Sequence, residues 1–321
     1  MNPGILTRGA VSMFPADIIR KYGDMYCDWS DAVEEKFNLF RPNAKLKRFV
    51  SRIVESKTAL VLGAGLSSTT GPFMERWKEY ENIYDALTND PEQVEGFVEL
   101  YSWGGVKVQP KFGNGMIPDL VRAGLVSSLL IFNYNCHVQY CLTLCRTGYQ
   151  SLVYCGEKEV EQTTVGKPKC RIFKPHGSAR LTEKPTKIIW PKKQLGINFS
   201  VCEEFVADVK NRGVKQILIL GWSARFDSHI RPYLVDLKKS GVSVIHVGLP
   251  HHTDESAATV GWGVLDEYVL DYEEGGIDVL YGLAKEIGVD TPCILDDDPL
   301  TRLSNNLQAM RLERSRFPLT S

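Results

Sequence analysis

Residues Thr58 to Trp77 read TALVLGAGLSSTTGPFMERW. The apolar run from Ala59 to Leu62 has the length of a buried parallel strand, and it breaks abruptly into Gly63-Ala64-Gly65. A strand ending this way presents a phosphate-sized turn. The glycines let the backbone approach a bound group, Ser67, Ser68, Thr69 and Thr70 offer hydroxyl donors, and a helix beginning after Gly71 would aim its N-terminal N–H groups inward. An anion is the natural guest. The competing reading is an ordinary strand-to-helix turn, since a chain with 27 glycines yields GxG by chance. The third glycine of the dinucleotide fingerprint is missing, with Ser68 in its place.

With 321 residues, 43% hydrophobic and 24% charged, the chain suits one large core, or a core plus a small second domain. A formal net charge of −1 argues against nucleic acid as the main partner, because binding phosphates at scale needs a basic excess. No apolar run is long enough to span a bilayer, and the opening residues scatter apolar positions among charges, so a cytoplasmic protein without membrane contact is expected. The eight cysteines form no Cys-x-x-Cys pair and are expected to be reduced thiols. Cys141 and Cys145 share one face of a predicted helix, where core packing is expected; Cys136, Cys141 and Cys145 lack a fourth partner for a metal.

Along the chain, residues 1–44 read as an N-terminal extension, 45–290 as a nucleotide-binding domain and 291–321 as a tail. Leu46, Phe49, Val50 and Ile53 form the stripe of a helix laid on a core. Residues from about 78 to 127 read as a helical insertion, either a lid over the ligand or plain helices on the sheet face. Strand signals follow at Ser128–Phe132, Ser151–Tyr154, Arg171–Lys174, Gln216–Leu220, Val242–Val247 and Tyr268–Leu270, with helical stretches at Phe199–Asn211, His229–Lys239 and Ile277–Ile287. This alternation predicts an α/β fold, a Rossmann-like mostly parallel sheet with helices on both faces, whose ligand sits at the carboxyl ends of the strands. Asp296, Asp297 and Asp298 in the tail read as a solvated or helix-capping run.

Each later strand ends in a polar cluster: Asn133-Tyr134-Asn135, then Pro175-His176-Gly177-Ser178, then Gly221-Trp222-Ser223, and the run Val244-Ile245-His246 before Gly248. Together with Gly63-Ala64-Gly65, Ser67, Gly71 and Arg76, these resemble, in order, the GAGxSxxxG…R, NID or NYD, HGS and GTS motifs of the sirtuin family and its strand ending in Ile-Asn. The resemblance covers about residues 55 to 287 and implies NAD as substrate. It assigns Asn133 and His176 as catalytic, and Gly63, Ala64, Gly65, Ser67, Gly71, Arg76, Asn135, Gly221, Ser223 and His246 as NAD-binding, with His246 replacing the family's ribose-binding Asn. An Asn amide holds a water or ribose hydroxyl without titrating, and an imidazole takes a proton near neutral pH. A turn-capping Asn and a satisfied His before a Gly turn are the structural alternatives.

The chain also departs from the sirtuin pattern. Deacylases of the family carry a zinc module with two Cys-x-x-Cys pairs after the HG motif, whereas only Cys202 lies between His176 and Gly221, so neither zinc nor another metal is expected. Asn135 stands where the family has an acidic residue, and Met74-Glu75 replaces its Asp-Phe before the Arg. With no zinc module, water becomes the expected acceptor. The resemblance is nearest to the zinc-less sirtuin-like NAD hydrolases of bacterial anti-phage defence, which implies an NAD glycohydrolase that assembles as a homo-oligomer and is restrained by a regulatory partner. A protein deacylase or ADP-ribosyltransferase, and a non-catalytic nucleotide sensor or assembly module, are the alternatives.

Overall fold

The computed structural model describes residues 33–63, 66, 112–133, 137–156, 159–177, 200–222, 230–248, 265–269 and 275–295. Helix α1 (Ala44–Val54) is capped by Asn43, whose side chain accepts a hydrogen bond from the Leu46 amide at 2.8 Å, and it buries the expected stripe of Leu46, Phe49, Val50 and Ile53. It leads into β1 (Thr58–Leu62), buried along its whole length. After a 3₁₀ turn (Phe112–Met116) come α2 (Ile117–Arg122), β2 (Val126–Ile131), α3 (His137–Leu144), β3 (Tyr149–Gly156), β4 (Glu159–Val165) and β5 (Cys170–Lys174). The second half supplies α4 (Ser200–Asn211), β6 (Gln216–Leu220), α5 (Arg231–Lys239), β7 (Ser243–Val247), β8 (Glu267–Val269) and α6 (Gly276–Glu286).

The strands form one eight-stranded sheet in the order β4-β3-β5-β2-β1-β6-β7-β8. Every pairing is parallel except β3 with β4. Alternate residues of each central strand enter two separate cores. Leu60 and Leu62 pack on the side of α1, α2, α3 and α6, while Ala59 and Val61 pack on the side of α4 and α5. Burial on both faces is why these strands read as continuous apolar runs, and each fully buried Leu or Ile contributes about 2 kcal/mol.

The α/β expectation and the central strands are borne out, with ends shifted by at most two residues and β6 matching at both. Strand β4 is the exception, unforeseen from EVEQTTV. It is the antiparallel edge of the sheet, with Gln162 and Thr164 exposed, and polar side chains on an edge discourage pairing with other chains while hiding the strand from a hydrophobic pattern. Most of the expected insertion lies outside the described residues; its last part, Met116 to Val121, is buried in the core. Helical residues 33–39 send Val33 and Phe37 into the same core, with the Phe37 ring 6.0 Å from that of Tyr281. Cys141 and Cys145 are free thiols buried in the core, as expected.

Polar anchors fix the amino ends of the strands. Gln216 donates to Thr58 Oγ1 at 2.8 Å and to the Ile53 carbonyl at 2.5 Å, joining β6, β1 and α1. Asp208 on α4 is 5% exposed and accepts from Ser128 at 2.6 Å, Arg171 at 3.1 Å and Arg212 at 2.9 Å, tying the helix to β2 and β5.

Candidate functional site

The chain reverses its direction of growth across the sheet at β1, with β2 on one side and β6 on the other. A crevice outside the carboxyl ends of strands at such a switch point is where open parallel sheets bind ligands. Gly63 lies there. Its amide donates to the Leu220 carbonyl at 3.0 Å, and a Cβ built on it would lie 2.5 Å from the Gly221 oxygen and the Trp222 Cα. The backbone leaving β6 therefore crosses directly over Gly63, and only a residue without a side chain allows it. Gly221 itself has φ +64°, a left-handed conformation that also favours glycine.

Asn133 and His176 approach this point from the next two strands. Leu130 of β2 pairs with Phe173 of β5, and Asn133 and His176 each lie three residues beyond that pair. Asn133 Nδ2 donates to the Gly63 carbonyl at 3.2 Å, which fixes the orientation of its amide. Next to Asn133 in the chain stands Phe132, its amide bonded to the Leu62 carbonyl at 3.0 Å. The Phe132 ring meets the His176 ring edge-on at 5.2 Å and stacks on Trp222 at 4.7 Å, only 8° from parallel. An aromatic seam thus runs from His176 through Phe132 to Trp222, over the strand whose end carries no side chain. His176 is 4% exposed, so its ring is packed in this seam.

His246 occupies a different level. It is an internal residue of β7, 2% exposed, and hydrogen-bonded to the Trp222 backbone; burial brings its pKa down to about 4. It supports Trp222 from below. Of the remaining sequence-assigned residues, Ala64, Gly65, Ser67, Gly71, Arg76, Asn135 and Ser223 lie outside the described residues.

The structure adds residues that pattern reading passed over. Phe132 and Trp222 link the two candidate catalytic loops to the switch point, and they were hidden because a strand-end aromatic reads as core. Lys174, two residues before His176, is fully buried at the end of β5. His137, the first residue of α3, is also buried, and burial followed by the Lys174 charge pushes its pKa down to about 4. A lysine closing an apolar strand was the visible signal in the sequence. Among the described residues no group of His, Cys, Asp and Glu side chains is arranged to hold a metal ion, and no helix is long and apolar enough to cross a membrane.

Fold and site together define an α/β protein of the doubly wound, Rossmann-like class with its candidate site at the topological switch point. Comparison of the sequence with protein-family models and with curated proteins gives no match. Among solved structures, the chain is similar to a Sir2 homologue in complex with NAD, at 18% identity and a TM-score of 0.49 over 75% of this chain and 95% of that one. It is similar also to a protein solved for the structural basis of sirtuin substrate affinity, at 13% identity and a TM-score of 0.48, covering 76% of this chain and 99% of that one. A structure addressing the mechanism and regulation of Sir2 enzymes gives 14% identity and a TM-score of 0.46, covering 76% and 97%.

Proposed function

We propose that this protein is a sirtuin-like NAD glycohydrolase, cleaving the bond between nicotinamide and ribose to give nicotinamide and ADP-ribose. The observation that carries the reading is the convergence of Gly63, Asn133 and His176 at the carboxyl ends of three adjacent strands, with Asn133 hydrogen-bonded to the Gly63 carbonyl. In this reading the turn after β1 receives the pyrophosphate, with Gly65, Ser67, Gly71 and Arg76 around it. The same reading assigns Gly221, Ser223 and His246 to the adenosine side, and Asn135, in place of the family's acidic residue, to recognition of the nicotinamide amide.

The chemistry follows from the side chains. The glycosidic bond breaks with its electron pair going to the nicotinamide ring nitrogen, which leaves as a neutral molecule. Asn133, its Nδ2 held on Gly63, directs its amide oxygen toward the water or a ribose hydroxyl at the reacting sugar. As the water oxygen bonds to the ribose carbon, its proton passes to His176. The Phe132 edge keeps the imidazole in one orientation.

By the same reading the enzyme depletes NAD as an effector of anti-phage defence, acting as a homo-oligomer under a regulatory partner, and needs no zinc. Incubating the full-length chain with NAD alone, with and without candidate partners, tests the reaction. Nicotinamide release that stops in Asn133→Ala and His176→Ala supports hydrolysis. Release that strictly requires an acyl peptide or an acceptor protein would show a deacylase or ADP-ribosyltransferase instead. A biological effect that survives both substitutions would show a nucleotide sensor.

A further inference from the structure

Helix α3 begins just after the loop that carries Asn133 and runs back down the sheet to a turn before β3. Thr143 Oγ1 of α3 lies 3.5 Å from the Tyr149 hydroxyl of β3. One helical turn toward the start of α3, about 6 Å along its axis, is Gln139. Two residues along β3, about 7 Å in the same direction and on the same face, is Ser151. The register therefore places both residues on the same side of the sheet, displaced toward the same end from the Thr143–Tyr149 contact. Both residues are fully buried, and neither the Gln139 amide oxygen and nitrogen nor the Ser151 hydroxyl has a hydrogen-bond partner among the described residues.

Three polar atoms, all removed from water, carry a desolvation cost unless something bonds to them. A water molecule suits this donor set, since it donates and accepts and needs two to four polar partners. Gln139 supplies a donor and an acceptor, and Ser151 supplies a hydroxyl that turns to either role. We propose that Gln139 and Ser151 hold a buried water that pins the first turn of α3 to β3, making Gln139 a positioning residue for Asn133. Only three residues separate Asn133 from the start of α3, so a shift of that turn is passed to the Asn133 amide. On its other side the loop is already tied, through Phe132 to Leu62 and through Asn133 to Gly63. The positioning role rests on the NAD-cleaving reading; the water does not.

The test has two arms. A high-resolution crystal structure of the native chain is expected to show a water within hydrogen-bond distance of both the Gln139 amide and Ser151 Oγ. A direct Gln139–Ser151 hydrogen bond, or a dry gap between them, would overturn the proposal. In the second arm, Gln139→Leu, Ser151→Ala and the double variant are compared by thermal unfolding and by NAD kinetics. A shared water makes the double variant little less stable than the worse single one, because either substitution already releases it; additive losses would argue against it. Gln139→Leu is expected to lower kcat for nicotinamide release about tenfold with KM unchanged. Equal kcat in Gln139→Leu and the native chain would refute the positioning role. A native chain that releases no nicotinamide would remove the NAD reading and the positioning role with it, leaving the water to be decided by the crystal structure and the stability cycle.

Discussion

Gly63→Ala places a single methyl group at the point where the β1 and β6 loops cross, and the structure lets its cost be worked out. The new Cβ would lie 2.5 Å from Gly221 oxygen, 2.5 Å from Trp222 Cα and 2.6 Å from Trp222 Cβ. Two of these are backbone atoms, and the third begins a side chain stacked on Phe132. Reaching ordinary contact requires one strand end to move by roughly 1 Å, and overpacking of this kind costs about 3 kcal/mol. A loss of that size corresponds to a fall in Tm of about 5–10 °C. The movement also separates Trp222 from Phe132, and the Gly63 carbonyl from Asn133, so nicotinamide release should fall at least about tenfold. Gly124→Ala is the control, because Gly124 has φ +76° and nothing within 4 Å of a new methyl, leaving only backbone strain of about 1 kcal/mol. Thermal unfolding and NAD turnover of the two variants give the comparison. If Gly63→Ala melts within a degree or two of the native protein, or no lower than Gly124→Ala, the close crossing of the two loops is not what the geometry implies.

Asn133→Asp should weaken the site even though it preserves shape, because a carboxylate oxygen would replace the Nδ2 donor against the Gly63 carbonyl; nicotinamide release is expected to drop by about 100-fold, and Asn133→Ala should do no better. His246 is held neutral, with a folded pKa of about 4 below the ordinary 6.5, so its contribution is whole above pH 6.5 and is lost as pH falls toward 4, where the unfolded chain binds a proton that the folded chain refuses. Between pH 7 and 4.5 this removes on the order of 2–3 kcal/mol, and urea unfolding of His246→Asn should show a correspondingly flatter acid limb than the native protein. His137 has the same direction of shift and should add a similar acid-side loss, visible as the difference left after His246 is replaced. Asp208→Ala would leave Arg171 only its looser pair with Glu204 at 3.7 Å and remove the Asp208 contacts of Arg212 and Ser128, with an expected loss of about 3 kcal/mol measured by chemical denaturation; a loss below about 1 kcal/mol would mean that the cluster is not holding α4 to the sheet.

The central strands were legible because they are buried on both faces, so their apolar runs survive any reading frame, and the glycines after β1 and β6 marked where those runs had to stop. Helices α1 and α4 were legible for a related reason, since each lays one stripe on a core, while α6, buried on nearly every side, showed as an apolar run. Asn133 and His176 were visible as polar residues directly after such strands. Strand order was beyond the sequence. Nothing local says that β2 and β5 lie side by side while β6 returns to the far side of β1, and that order brings Asn133 to Gly63 and makes Phe132 the link between His176 and Trp222. The edge strand β4, the burial of Lys174 beside His137 and the burial of Gln139 and Ser151 were likewise decided by packing, because each depends on residues far apart in the chain being pressed into one dry layer. Local periodicity records which side of an element is dry; which element it meets there is set only when the sheet closes its order and the helices settle on it.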